Sequence, residues 1–287
     1  MSKVWFVTGA GSGIGAGVAM AALRAGDRVV ATGRNLEKLR GAYGDAGEKI
    51  AFVQLDVADA AQAEAAVSKA VERFGRIDVL VNNAGYSILG AFEEMTVADL
   101  ERQFATNFYG VAHLMRAVLP VMRKQRSGRI LNISSVAGVV GLKHCSAYGA
   151  SKFAVEGLSL SVAEEVAGFG IGITVVEPGF FRTGLLAPSN VRWASHPVDD
   201  YAADGSPEAM WSPYNGAQPG DPAKLGEALV KLANMESPPK VFVAGSDALD
   251  VVTPAVEARL KEIAAYEALS RSTDGAFQLA SESAKAG

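Results

Sequence analysis

The sequence has a single cysteine, Cys145, and only three histidines, His113, His144 and His196. A lone cysteine closes no internal disulfide, which fits a reducing compartment, so a cytoplasmic location is expected. As a nucleophile Cys145 is a poor candidate, since only His144 stands beside it in sequence. The histidines share no ligand spacing with one another or with Cys145, and no metal site is expected. Charge of one sign is also scarce. Lys and Arg number 27 against 31 Asp and Glu, a net −4, and that balance suggests no nucleic-acid partner. No apolar run reaches the roughly 18 residues of a membrane span. Strand-like sequence begins by Val4, so a leader peptide is not expected.

Apolar residues, by contrast, make up 49% of the 287 positions and charged ones 20%. That is the composition of a well-buried globular protein. Short apolar runs at Val4–Val7, Arg28–Ala31, Ile50–Val53, Val79–Val81, Arg129–Ile133, Ile171–Val176 and Lys240–Val243 read as seven strands. Ala-rich amphipathic stretches separate them, for example Asp59 to Phe74 and Tyr148 to Ala167. Regular strand–helix alternation predicts an α/β fold: one doubly wound, Rossmann-type parallel sheet of seven strands with helices on both faces. No linker divides the chain, so one domain over 1–287 is expected. Seven of the eleven prolines fall between Pro178 and Pro222. The segment from about 184 to 220 therefore reads as a long irregular insertion, the pattern of a lid. A helix should start near Asp221 with Pro222 in its first turn. Another is expected from Thr253 to about Ser270.

Three segments carry chemistry. The first strand runs into Thr8-Gly9-Ala10-Gly11-Ser12-Gly13-Ile14-Gly15 and then a helical stretch. Glycines there let the backbone approach a pyrophosphate, and a helix N-terminus offers free N–H groups. The second strand ends at Gly33-Arg34, where dinucleotide folds that bind NAD place a carboxylate for the ribose. Arg34 suits a 2′-phosphate, although an ordinary solvated arginine is the plain alternative. Tyr148-Gly149-Ala150-Ser151-Lys152 puts a phenol and an ammonium on one helix face. A nearby ammonium favours phenolate, so the two make a plausible acid/base pair. Asn132-Ile133-Ser134-Ser135 lies at the C-terminal end of a strand, the edge where open α/β sheets hold ligands. Each segment alone also fits a blander role: a glycine-rich turn, a chance helix pair, a serine-rich turn.

Together, and in this order and spacing, they resemble the short-chain dehydrogenase/reductase family over about residues 3 to 183. Gly9, Ser12, Gly13, Ile14 and Gly15 match its cofactor turn, and Asp56-Val57 matches the pair that contacts adenine. Asn82-Asn83-Ala84-Gly85 matches the motif beside the adenosine. Asn107 falls where the family has a catalytic Asn. Ser135, 13 residues before Tyr148, is chosen over Ser134 on family spacing. Pro178-Gly179 with Thr183 matches the segment that holds the nicotinamide carboxamide.

The resemblance implies a carbonyl/alcohol oxidoreductase in which Tyr148 moves the proton, Ser135 hydrogen-bonds the reacting oxygen and Lys152 lowers the Tyr148 pKa and holds the ribose. Asn107 would hold a water between Lys152 and solvent. Gly33-Arg34 looks like NADP-preferring members; NAD is the second choice. Ser12 stands where many of those members carry a basic residue, which leaves the 2′-phosphate to Arg34. Family members are mostly dimers or tetramers, so a homo-oligomer is expected. Val139 to Ser146, Phe180, Phe181, Leu185, Leu186, Trp193 and Trp211 are candidate substrate walls, suited to a hydrophobic small molecule. The pattern is similar to the hydroxysteroid- and retinol-dehydrogenase-like branch. Two alternatives stand beside this reading, an NAD-linked alcohol dehydrogenase and a cofactor-binding sensor without catalysis. The complete set Asn107, Ser135, Tyr148 and Lys152 speaks against the sensor.

Overall fold

The structure, a computed structural model, describes residues 2–44, 47–188, 190–202 and 205–275. Nine strands form: β1 Val4–Val7, β2 Arg28–Gly33, β3 Ile50–Gln54, β4 Val79–Asn82, β5 Ile88–Leu89, β6 Gly128–Ile133, β7 Ile171–Pro178, β8 Arg192–Trp193 and β9 Val241–Ala244. The helices are α1 Gly13–Arg24, α2 Leu36–Gly41, α3 Ala60–Phe74, α4 Val97–Phe104, α5 Gly110–Gln125, α6 Ser146–Val166, α7 Asp199–Ala202, α8 Pro207–Trp211, α9 Pro222–Ala233, α10 Ser246–Ala265 and α11 Glu267–Arg271. Seven strands pair in the order β3-β2-β1-β4-β6-β7-β9, each contact parallel. These are the seven expected strands.

Both faces of the sheet are covered, which is why its strands are apolar at nearly every position. On one face Val67, Leu114, Met115, Val118 and Val155 of α3, α5 and α6 pack on Phe6, Leu80 and Ile130. On the other, Val18, Leu39, Leu225 and Leu229 of α1, α2 and α9 pack on Trp5, Val29, Val81 and Leu131. From β1 the chain steps outward through β2 and β3 on one side and β4, β6, β7 and β9 on the other. The crevice at the C-terminal ends of β1 and β4 is therefore the place where such a sheet holds a ligand.

Helices α1 and α9 approach closely because both carry glycine at the crossing. A Cβ on Gly226 would sit 2.4 Å from the Gly17 carbonyl oxygen, and one on Gly17 would sit 2.3 Å from that of Pro222. Neither backbone can yield without the helices moving apart. Gly226→Ala is expected to destabilise the fold by about 1–3 kcal/mol. Gly157→Ala, at an α6 position with no atom within 4 Å of the added methyl, should be neutral or stabilising by up to about 1 kcal/mol. Thermal melts of the two variants check this, and equal melting temperatures would mean the crossing is not tight.

One expectation needs correction. The C-terminal helix begins at Ser246, not Thr253, and its first long segment ends at Ala265 before α11. Pro254 sits inside α10 on a largely exposed helix, where water can satisfy the carbonyl it leaves free. Gly245, at φ +107°, supplies the turn that starts α10 early. The insertion over about 184–220 is irregular with short helices, α7 and α8. Its β8 pairs with β5, so Ile88 and Leu89 align with Arg192 and Trp193. That short pair ties the insertion to the loop after β4.

Candidate active site

The C-terminal ends of β1, β2, β3, β4, β6 and β7 open onto one cleft of about 690 Å³. Its walls include Gly9, Ser12, Gly13 and Ile14 after β1, Gly33 and Arg34 at the end of β2, and Asp56 and Val57 after β3. Asn83, Ala84 and Gly85 follow β4, Ser135 follows β6, and Pro178, Gly179 and Thr183 follow β7. Tyr148 and Lys152 enter from α6. Elements scattered over 175 residues of sequence thus meet because a parallel sheet brings every strand's C-terminal end to one edge.

The turn after β1 is built to be open. Gly9 and Gly13 lie at φ +63° and +56°, where other residues are strained. Ser12 stands at the N-cap of α1, yet its side chain makes no cap bond and no acidic residue occupies the first turn. The first N–H groups of α1 therefore remain available to an anion from the cleft. Asn83 braces this turn: its Nδ2 donates to the Thr8 carbonyl at 2.9 Å and faces that of Gly9 at 3.3 Å. Tyr43 donates its hydroxyl to the Ala10 carbonyl from the other side, at 2.5 Å. Gly15 does not line the cleft. A Cβ there would lie 2.4 Å from the Gly9 carbonyl oxygen, so this glycine serves the packing of α1 under the turn. These features fit a nicotinamide dinucleotide: a long cleft, an uncapped helix start for the pyrophosphate, and room for the ribose at Gly33.

At the far end Ser135 and Tyr148 both line the cleft, and burial pushes the phenol above its ordinary pKa, against a favourable contact from Ser135. Lys152 is 6% exposed. Its Nζ donates to the Ile133 carbonyl at 2.7 Å and lies 5.6 Å from the Tyr148 ring centroid. Burial pulls this ammonium down to about 8, against the pull of Glu156. The ammonium thus lies over the ring of Tyr148 while it donates to the Ile133 carbonyl.

Asn107 sits in a π-helical turn, Ala105–Tyr109, is 1% exposed and does not line the cleft. Its Oδ1 accepts the Tyr86 N–H at 3.2 Å, and its Nδ2 donates to the Tyr86 carbonyl at 3.0 Å and to Ser151 Oγ at 3.3 Å. Ser151 in turn donates to the Tyr148 carbonyl at 2.7 Å. Asn107 therefore ties the loop after β4 to the helix that carries Tyr148. Cys145 lines the cleft, and burial pushes its thiol up to about 12, which leaves it unreactive.

Of the expected substrate walls, Leu142, Cys145, Phe180, Phe181, Leu185, Leu186 and Trp211 face the cleft. Trp193 instead packs against the small apolar cluster of Leu89, Cys145, Leu186 and Val191. Sequence reading missed Tyr86, Ser87, Leu89, Arg102 and Arg192, all on the wall. The first three follow directly on Asn82–Gly85, and extending that motif would have found them. No pattern marked Arg192, which the β5–β8 pair brings in.

Behind Lys152 lies a carboxyl pair. Burial, then the neighbouring Glu177, push Glu156 up to about 7, against a favourable contact from Ser134 and the pull of Lys152. Glu156 Oε1, Glu177 Oε2 and Ser134 Oγ are buried without a well-formed hydrogen bond. A carboxyl with a raised folded-state pKa stabilises the fold below about 4.5 relative to neutral pH. That stability is lost as pH rises through about 7. Glu156→Gln should remove this loss. Relative to wild type it should gain about 2 kcal/mol between pH 5 and pH 8, after solvent screening of a partly exposed group. Urea melts at the two pH values measure the difference, and an unchanged difference would remove Glu156 as its source.

The short chain dehydrogenase family model matches residues 3–192. The chain belongs to the short-chain dehydrogenase family. Among curated relatives of this short-chain dehydrogenase, oxidoreductase BOA17 of Botryotinia fuckeliana is 40% identical over 259 residues, 90% of this chain and 94% of the relative. The 3-ketodihydrosphingosine reductase of Bacteroides thetaiotaomicron is 37% identical over 83% of this chain and 86% of its own length. A short-chain dehydrogenase from Streptomyces avermitilis superposes with a TM-score of 0.87 at 40% identity, covering 96% of this chain and all of that one. ElxO with NADP bound gives 0.73 at 32% identity, over 87% and 100% of the two chains. A Burkholderia phymatum enzyme in complex with NAD gives 0.78 at 25%, over 97% and 98%. The chain is thus an oxidoreductase of the family that acts on alcohol or carbonyl substrates, with solved neighbours that hold either nicotinamide cofactor. Among the described residues no helix is long and apolar enough to cross a membrane, and no group of three or more His, Cys, Asp or Glu could hold a metal ion.

Proposed function

We propose that this short-chain dehydrogenase uses NADP(H) to interconvert a ketone or aldehyde with an alcohol on a small, largely apolar substrate, with Tyr148 as general acid and base. The observation that carries the reading is the meeting of Ser135, Tyr148 and Lys152 on the wall of one cleft, with the Lys152 ammonium 5.6 Å from the Tyr148 ring centroid. When bound, the cofactor supplies the hydride. Ser12 and the N-terminus of α1 bind its pyrophosphate, Arg34 its 2′-phosphate and Asp56-Val57 its adenine, while Pro178, Gly179 and Thr183 hold the far end. Ser135 orients the substrate oxygen through its hydroxyl. Tyr148 as the phenol gives its proton to that oxygen in reduction, and as the phenolate takes one back in oxidation. Lys152 holds its charge below about 8, which supports binding of ribose hydroxyls and later return of a proton to Tyr148. Asn107 keeps α6 in register with the loop after β4.

The name of the Bacteroides relative, a ketone reductase, supports reduction as one direction. Apolar walls from Leu89, Leu142 and Leu186 suit the hydroxysteroid- or retinol-like branch that the sequence resembles. The insertion over about 184–220 acts as a lid, with Leu185, Leu186 and Trp211 on its inner side. Exposed Leu260, Ile263, Tyr266 and Leu269 along α10, α11 and the junction between them support a homo-oligomer, and the lone cysteine supports a cytoplasmic location. A ketone and alcohol panel run with NADPH and NADH side by side tests the reading. Turnover of apolar ketones with NADPH is the expected result, and no turnover with either cofactor overturns it.

A further inference from the structure

The substrate end of the cleft has a largely apolar wall. Leu89, Leu142, Cys145 and Leu186 line it and pack, with the rings of Tyr148 and Trp211, into one cluster. Within this wall two polar atoms are buried and have no hydrogen-bond partner, the Ser87 hydroxyl and the Trp211 indole Nε1. Ser87 is 2% exposed. A buried donor without a partner is costly, and native proteins retain few of them outside working sites.

Both groups are held in place. Ser87 opens the β5 segment, where its carbonyl accepts the Arg192 N–H at 3.0 Å. The next residue, Ile88, donates its N–H to Gln103 Oε1 at 2.7 Å. The Trp211 ring lies 6.2 Å from that of Phe180 and 6.0 Å from that of Tyr214, which stack on each other at 4.7 Å. The two groups come from different elements, one from the loop after β4 and one from the lid. Neither is needed by the proton transfer, which Ser135 and Tyr148 complete by themselves.

We propose that Ser87 and Trp211 form a second polar subsite, so that the preferred substrates carry, on an apolar skeleton, an acceptor oxygen besides the reacting carbonyl. An indole N–H can only donate, so its partner is a carbonyl, ether or hydroxyl oxygen and not an ammonium. The serine hydroxyl can give or take a hydrogen bond, and so accommodates either a keto or a hydroxy group. Apolar walls account for the rest of the molecule. The substrate class is thus diketones or hydroxyketones of compact hydrocarbon frame, rather than simple ketones. This inference rests on the carbonyl-reducing function proposed above.

The test compares a decalin monoketone with decalindiones whose second carbonyl stands at different ring positions. Wild type should prefer at least one dione by about tenfold in kcat/KM, the effect of one buried hydrogen bond gained in place of an unpaired donor. Trp211→Phe and Ser87→Ala should each pull that ratio toward one, while melting temperature and cofactor titration show that the variants fold. Calorimetric binding of the same ketones gives a readout that needs no turnover. Tighter binding of a dione that the variants lose supports the subsite even where no hydride moves, and absent turnover then counts against the proposed reaction alone. Absence of any preference for a dione, or a preference that neither substitution changes, would overturn the subsite.

Discussion

Tyr148→Phe is expected to bind cofactor as wild type does and to turn over almost nothing. The substitution removes one oxygen and keeps the ring, which packs against Leu89, Cys145 and Leu186. Little packing is lost, and the phenyl ring still lies under Lys152. What disappears is the phenol hydroxyl on the wall that Ser135 shares, and with it the proton donor for the forming alcohol. Ser135 Oγ still accepts the Ala137 N–H at 3.1 Å. General acid/base catalysis is typically worth ~10²–10⁴-fold, so kcat should fall by about that factor. Cofactor fluorescence measures binding, and single-turnover reduction of an apolar ketone measures chemistry. Turnover near the wild-type rate in the Phe variant would remove Tyr148 from the proton path.

The residues of this site were legible in the sequence because the fold makes them so. A parallel sheet buried on both faces needs continuous apolar strands, and each strand end becomes a fixed address on one edge. Thr8–Gly15, Asn82–Gly85 and Tyr148–Lys152 could therefore be placed before any geometry was known. Three kinds of information were not legible. Contacts between distant elements were hidden: Gly17 and Gly226 look like ordinary helix glycines until their helices cross. Hydrogen-bond commitments were hidden as well. The bonds of the Asn107 amide to the Tyr86 backbone and the Ser151 hydroxyl could not be read from spacing. Local patterning also failed at the start of α10, which the turn at Gly245 places at Ser246 rather than Thr253. The electrostatics of Tyr148 belong to the second kind, because spacing places Lys152 on the same face but does not say where its ammonium points.

The wild-type enzyme is expected to favour NADPH over NADH, and the double substitution Gly33→Asp, Arg34→Ala to reverse that preference. Both positions line the cleft at the end of β2, beside the turn that receives the pyrophosphate. Arg34 is exposed and makes no ion pair among the described residues. Its guanidinium is therefore free to take a 2′-phosphate in a two-point grip while its plane stacks near the adenine. Lys38, one turn into α2 and also on the wall, adds a weaker attraction that salt would screen. Hydrogen bonds to a charged group are worth about 1.5–3 kcal/mol each. A preference of at least about tenfold follows, since 1.4 kcal/mol is a factor of ten. The reverse change is sterically open. A Cβ on Gly33 would meet only Leu39 Cδ1, at 3.8 Å, an ordinary contact, so an aspartate fits without displacing the strand. Its carboxylate would accept the two ribose hydroxyls of NADH and repel a 2′-phosphate. The single variant Arg34→Ala should weaken NADPH alone, and the double variant should weaken NADPH further while improving NADH. Measuring kcat/KM for both cofactors in wild type and the two variants, at low and high salt, separates these steps. A wild-type preference for NADH, or a cofactor ratio that stays fixed through both substitutions, would leave Arg34 without the role assigned to it.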